Sequence, residues 1–334
     1  MSFLPAATVL AVLEGMRALG LDVARIRREA GLNDDVTDPD ALLPMSVFVG
    51  LWHSAALQAP REQLALEVGL SVPLGAFGLM DYLAASSDSV GEAFVSLSRL
   101  FPSVAPGCAI EIESTPRDYR VSLLSDNAAD KGFTGDELTL GVMLRHFRAF
   151  SETFPLLALE LTRPTPNDVA AFETLAGAPV HFERGAPAML LAPDAAQIVL
   201  KSRDPLLRRT LQAMATRLGL GAAAPPLEMV IRSRLRELLP QGEADVTRVA
   251  GSLALSTRSL HRKLAELGRT FHDVLSDFRR AEAERLLSVG DASLSDVALR
   301  LGFADQSAFS RAFKRWTEKS PSEWRSAQRS RHEH

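Results

Sequence analysis

The chain has 334 residues, enough for two domains that each bury a core, and its 46% hydrophobic and 23% charged content is ordinary for a soluble globular protein. No apolar run approaches the roughly 20 residues that span a bilayer, the N-terminal stretch lacks the basic start and cleavage site of a secretory signal, and the single Cys108 excludes an internal disulfide, so a cytoplasmic location is expected. The net charge of −4 is unevenly spread: residues 227–334 carry 19 Lys+Arg against 15 Asp+Glu, and the preceding 226 residues carry 18 against 26.

Residues 1–218 mix helical and strand signals. Apolar periodicity near 3.6 predicts helices over Ala7–Leu19, around Val47, Leu51, Ser54 and Ala55, and over Asp136–Phe150. Strands are expected at Ala109–Glu113, Tyr119–Leu124, Leu157–Leu161 and Val180–Phe182, bounded by Pro and Gly. The expected class is an α+β domain with a small sheet. Its closing helix carries Leu207, Leu211, Met214 and Leu218 at i, i+4, i+7 and i+11. That stripe suits pairing with a second subunit, or packing on its own domain.

Gly219 to Pro226 combines glycines that end a helix with prolines that forbid its continuation, and is expected to be a linker. A short basic helix from about Leu227 to Leu238 follows, and Pro240 and Gly242 end it. The remainder of 227–334 reads as all helical. It contains one pattern twice, at 245–267 and 295–316, joined by a long helix over Phe271–Val289. Leu260, Leu264 and Leu267 of the first copy match Phe309, Phe313 and Trp316 of the second at one offset of 49 residues. Ser256 and Asp305, both good helix caps, keep that offset, as do Arg262 and Arg311.

A duplicated helix-turn-helix places its second helices in DNA major grooves. Opposite the apolar arcs stand Thr257, Arg258, His261 and Arg262 in the first copy, and Gln306, Ser307, Ser310, Arg311 and Lys314 in the second. Arginine offers a bidentate fork to guanine, glutamine can do the same for adenine, and serine suits either. The competing reading is two solvated faces, but two copies in register with polar groups confined to the outer arc favour double-stranded DNA. A connecting helix of roughly 18 residues, roughly 27 Å long, would hold the readers apart. They would then enter successive major grooves of a non-palindromic site.

The run Asp296-Val297-Ala298-Leu299-Arg300-Leu301-Gly302-Phe303, with Ser307 to Trp316 and Ser320-Pro321-Ser322-Glu323-Trp324-Arg325, resembles the DNA-binding domain of the AraC/XylS family of bacterial transcription regulators. Gly20-Leu21-Asp22, Ala30-Gly31-Leu32, Gly75-Ala76-Phe77-Gly78 and Gly177 to Phe182 resemble the N-terminal domain of the ornithine- and arginine-responsive members. The resemblance implies a cytoplasmic activator or repressor whose N-terminal domain senses a small molecule or dimerises; a homodimer through the leucine stripe, RNA polymerase and an unidentified small effector are the expected partners. A constitutive regulator whose N-terminal domain only dimerises or contacts proteins is the alternative.

Candidate effector-facing groups are Arg99, Arg145, His146 and Arg148, cations that suit a carboxylate or phosphate, although ordinary surface arginines explain them as well. No Gly-rich phosphate loop, GxSxG elbow, HExxH or paired-cysteine motif is present, so neither a metal nor a cofactor is expected. Some DNA alkyl-damage repair enzymes carry a similar duplicated module. Their chemistry needs a thiolate acceptor and cysteines gathered on zinc, which Cys108 alone does not supply.

Overall fold

The computed structural model describes residues 3–32, 36, 38–39, 41–125, 134–220, 227–253, 255–289 and 293–332. They fall into two compact units, one ending at Leu220 and one starting at Leu227. Gly221 to Pro226, most of the expected linker, lie outside the described residues.

The first unit opens with β1 (Phe3–Pro5), α1 (Ala6–Ala18), α2 (Val23–Glu29), β2 (Leu42–Pro44), α3 (Met45–Gln58) and α4 (Leu64–Ser71). Here β1 and β2 pair antiparallel, and Leu13, Met16, Ile26, Leu51 and Val68 form a helical core. Next come α5 (Leu79–Ala85), α6 (Val90–Val104), β3 (Cys108–Ser114), β4 (Tyr119–Ser125), α7 (Thr134–Phe150), β5 (Leu156–Glu160), α8 (Val169–Ala176), β6 (Val180–His181) and β7 (Ala188–Leu191). Side-chain acceptors close several exposed helix starts: Asp22 accepts from the Arg25 amide at 3.0 Å, and Ser89 from Glu92 at 3.3 Å.

The sheet order is β3-β4-β7-β5-β6, antiparallel except for the β5–β6 pair. All four expected strands are present. The middle strand β7 is an addition, and it completes a five-stranded sheet. A second core packs on this sheet, where Phe94 and Phe147 stack with centroids 4.0 Å apart.

One helix serves both cores. Leu140, Met143, Leu144 and Phe147 of α7 enter the sheet core, and Leu138 and Val142 enter the helical core. Glycines allow α7 to approach α4 this closely. A Cβ on Gly141 would sit 2.6 Å from the Leu66 carbonyl oxygen, and one on Gly69 would overlap that of Leu138. The unit closes with α9 (Pro205–Arg217), capped by Asp204, which accepts from the Leu206 and Leu207 amides at 3.1 and 2.9 Å.

The second unit is helical: α10 (Leu227–Leu238), a 3-10 turn (Leu239–Gln241), α11 (Val246–Ser252), α12 (Thr257–Glu266), α13 (Phe271–Val289), α14 (Leu294–Arg300), α15 (Gln306–Thr317) and α16 (Pro321–His332). Two small cores form around α13. Its first half contributes Val274 and Phe278 to a core with Leu235, Val249, Leu260 and Leu264. The second half contributes Ala283, Leu286 and Leu287 to a core with Val297, Phe309 and Phe313. The 19-residue helix is about 28 Å long at 1.5 Å per residue, and it carries one helix-turn-helix at each end.

Candidate nucleic-acid interface and internal cavity

In the first helix-turn-helix, Asp245 caps α11 by accepting from Thr247 and Arg248 at 2.8 and 3.0 Å. Ser256 caps α12 by accepting from the Ser259 amide at 3.1 Å. In the second, Ser293 and Asp296 form a reciprocal capping box on α14, and the Asp305 carboxylate accepts from the Ala308 amide at 2.6 Å on α15. Asp305 is therefore an N-cap, with Oδ1 taken by the helix amide.

Leu260 and Leu264 of α12, and Phe309 and Phe313 of α15, are buried on the inner arcs. On the outer arcs Arg258, His261, Arg262, Gln306, Ser307, Arg311 and Lys314 are exposed, and Thr257 and Ser310 are half-buried. The Arg262 side chain is 72% exposed and its ion pair with Glu266 is long, at 3.9 Å, so solvent screening leaves the guanidinium free to reorient. Gln306 Oε1 accepts from the Ser295 hydroxyl at 2.9 Å, which turns its amide NH2 outward as a donor.

The expectation that Leu267 continues the buried arc is corrected. It is 55% exposed, because α12 ends at Glu266 and Gly268 turns the chain with a φ of +69°. Its counterpart Trp316 still lies within α15, half-buried at 6.1 Å from the Phe303 ring.

Sequence reasoning missed the residue that ties the second turn to the long helix. Arg279 of α13 donates from Nε to the Leu301 carbonyl at 2.9 Å and from Nη2 to the Gly302 carbonyl at 3.1 Å, with its guanidinium 4.7 Å from the Phe303 centroid. Those carbonyls end α14, where they have no helical partner. Gly302 has a φ of +65°, and a Cβ there would press on Leu239 at 2.9 Å. An arginine in a charged run carries no sequence signal for this role.

The four effector candidates do not meet. Arg99 is exposed, Arg145 donates to the Leu70 carbonyl at 2.7 Å, and Arg148 donates to the Leu175 and Ala176 carbonyls. Only His146 lines a partly open cavity of about 60 Å³, walled by Phe77, Met80, Leu97, Phe101, Met143 and Phe147. Asp81, unmarked in the sequence, lines it too. Its Oδ2 accepts from the Gly75 and Phe77 amides at 2.9 and 3.1 Å, and its Oδ1 faces His146 Nδ1 at 3.6 Å.

Burial raises the Asp81 pKa, against the opposing pull of His146 and the two amides. Burial lowers that of His146, against Asp81 and the nearby Val72 and Pro73 carbonyls, so both groups favour their neutral forms. A third buried group, Glu137, is pushed up to about 8 by burial. The Arg163 guanidinium, 3.3 Å from its carboxylate, opposes that shift.

The closing stripe of the first unit divides. Leu211 packs on the sheet core beside buried Ala215. Leu207, Met214 and Leu218 are 42%, 53% and 62% exposed.

Residues 20–198 match the family described as the arabinose-binding domain of AraC transcription regulator, N-terminal, and residues 249–327 match a helix-turn-helix domain family. The chain is 28% identical to the ornithine utilization regulator of Pseudomonas aeruginosa over 313 residues, covering 92% of this chain and 89% of that protein. It is 24% identical to the HTH-type transcriptional regulator VirS of Mycobacterium tuberculosis, covering 93% and 92%. The crystal structure of transcriptional regulator CdpR from Pseudomonas aeruginosa aligns with a TM-score of 0.44 at 21% identity, covering 93% of this chain and 97% of that one.

Proposed function

Because this chain belongs to the AraC family of DNA-binding transcription regulators, we propose that its two units divide the work: residues 227–334 read an operator and residues 1–218 sense an effector and dimerise. The observation that carries the DNA reading is the matched pair of outer arcs. α12 and α15 each bury an apolar arc and turn Arg262 or Arg311 to solvent at the same place in the repeat. Arg258, His261, Gln306, Ser307 and Lys314 complete these arcs, with Thr257 at the entry of α12 and Ser310 one turn into α15. First-turn amides beside Ser256 and Asp305 supply phosphate contacts.

Gel-shift titration on the operator tests the assignment. Arg262→Ala and Arg311→Ala should each weaken specific binding by about 1–3 kcal/mol if they make bidentate base contacts. Binding to random duplex should change less. Unchanged operator affinity in both variants overturns it.

The same reading makes the protein a homodimer through α9, whose exposed Leu207, Met214 and Leu218 surround a helix anchored by Leu211 and Ala215. Effector control and contact with RNA polymerase belong to the proposal, as does a cytoplasmic location. No helix of the described residues is long and apolar enough to cross a membrane. No catalytic role is proposed, since the relatives are regulators. Sedimentation of the purified chain should give a concentration-dependent dimer, which Met214→Glu weakens. A monomer at every concentration, with and without DNA, excludes that part.

A further inference from the structure

The second helix-turn-helix holds one side chain that the first has no means to hold. Gln306 opens α15, and Ser295 lies near the start of α14. The Ser295 hydroxyl donates to Gln306 Oε1 at 2.9 Å. One repeat earlier, 49 residues back, the same places hold Val246 and Thr257, which can form no such bond.

Both ends of this bond stand on fixed backbone. The capping box sets the first turn of α14, where the Ser293 hydroxyl accepts from the Asp296 amide at 3.1 Å. The Asp305 cap sets the first turn of α15, and buried Phe309 and Phe313 pin the inner arc of that helix. Ser295 and Gln306 are themselves exposed, so the bond constrains a side chain within reach of a duplex.

We propose that Ser295 is a specificity-determining residue: by holding Gln306 Oε1 it makes Gln306 a donor-only reader, which selects guanine over adenine at one base pair of the operator. The proposal rests on the reading of α15 as a recognition helix and names the base that one of its residues takes.

The choice of base follows from the two ends of the amide. Bidentate reading of adenine uses both, with Oε1 accepting from N6 and Nε2 donating to N7. Here Oε1 is drawn toward α14, the helix that in this motif crosses the DNA backbone rather than the bases. What remains is an NH2 group with two hydrogens and no acceptor. Guanine presents N7 and O6, both acceptors, so this group suits it without moving Oε1. Adenine would have to take Oε1 from Ser295. Ser295 acts through Gln306 and is therefore a positioning residue.

Either base offers the amide two hydrogen bonds, so the bond to Ser295 decides between them and its worth sets the size of the effect. A neutral hydrogen bond of this kind shifts an equilibrium by roughly two- to tenfold. Removing the hydroxyl should move base choice by that factor and leave affinity for the best site nearly unchanged.

Selection of binding sites by the full chain from duplexes of random sequence tests this. The position read by Gln306 is the one whose preference disappears in Gln306→Ala, and in the unmodified chain it should hold guanine. Replacing that base with 7-deazaguanine, which lacks the N7 acceptor, should weaken the unmodified chain and not Gln306→Ala. Ser295→Ala should raise adenine relative to guanine there by about two- to tenfold, read by gel shift on duplexes that differ at this base pair alone. Ser295→Thr keeps the hydroxyl and should preserve guanine. Positions lost in Arg262→Ala belong to the other helix-turn-helix and should not change in either Ser295 variant. Without DNA, the Gln306 side-chain amide signal in nitrogen-15 spectra, identified by its loss in Gln306→Ala, should shift in Ser295→Ala and hold in Ser295→Thr.

Any base other than guanine at the Gln306 position overturns the proposal, as does a motif unchanged by Gln306→Ala. A guanine whose N7 can be removed without loss would mean that Gln306 meets the paired cytosine through Oε1, which also overturns it. Equal weakening on every sequence in Ser295→Ala would make the hydroxyl a phosphate contact instead. These failures leave the recognition-helix reading intact where Arg311→Ala still abolishes base preferences nearby. A selected motif indifferent to Gln306→Ala and Arg311→Ala alike rejects that reading, and the proposal falls with it.

Discussion

The two units hold their candidate functional ionisable groups differently. The first buries Asp81, Glu137 and His146 to 5% exposure or less. The second turns Arg258, Arg262, Arg311 and Lys314 to water on two helices whose inner arcs are apolar. Buried ionisable groups are costly and act only at short range, on a molecule that replaces their water. Exposed cations on rigid helices cost little and attract a polyanion over a Debye length. On the proposed roles, the contrast is that between a small-molecule sensor and a nucleic-acid face.

This contrast breaks if removing a buried ionisable group is as harmless as removing an exposed charge. Asp81→Ala strands two loop amides and the facing ring of His146, and should lower stability by about 1–3 kcal/mol in urea unfolding followed on the first unit. Arg262→Ala and Arg311→Ala should stay within about 0.5 kcal/mol of the unmodified chain in the same assay. The exception is Arg279, an arginine of the second unit that behaves like a buried group. Arg279→Ala removes two charge-assisted bonds to the end of α14 and should cost about 1.5–3 kcal/mol. Arg279→Lys should not rescue it, since an ammonium cannot span both carbonyls and stack on Phe303.

A separate effect is on pH dependence. The folded-state pKa of Glu137 is raised from 4.5 to about 8, so between those values the folded chain holds a proton that the unfolded chain lacks. Stability from this group is therefore present below about pH 4.5 and lost as pH rises toward 8. The slope is at most about 1.4 kcal/mol per pH unit. Glu137→Gln should flatten the difference between melting curves at pH 5.5 and 7.5. Parallel pH profiles for both proteins would mean that Arg163 holds the carboxylate ionised.

The outward chemistry was legible in the sequence and the inward chemistry mostly was not. Exposed helices show an apolar stripe at a 3.6-residue period and their caps as Ser or Asp, so α12, α13 and α15 could be located to within a residue or so. Leu267 failed because periodicity says nothing of where a helix stops, and Gly268 stops it one residue too soon. The middle strand β7, Ala188–Leu191, escaped because a strand covered on both faces shows no alternation. Similarly α4 is largely buried, so its sequence carries no polar face, and Pro102 near the end of α6 reads as a breaker. His146 was visible as one of a run of cations. Asp81 was not, because only the tertiary fold brings α5 against α7.

The duplicated helices make one claim that a single experiment reaches. Methylation-protection footprinting of the full chain on its operator should show two protected major-groove patches on one face, about one helical turn (roughly 34 Å) apart, for each bound DNA-binding unit. Arg262→Ala should erase guanine protection in one patch and Arg311→Ala in the other, each leaving its neighbour in place. A single patch lost equally in both variants, or two patches indifferent to both, would contradict the assignment of α12 and α15 as independent readers.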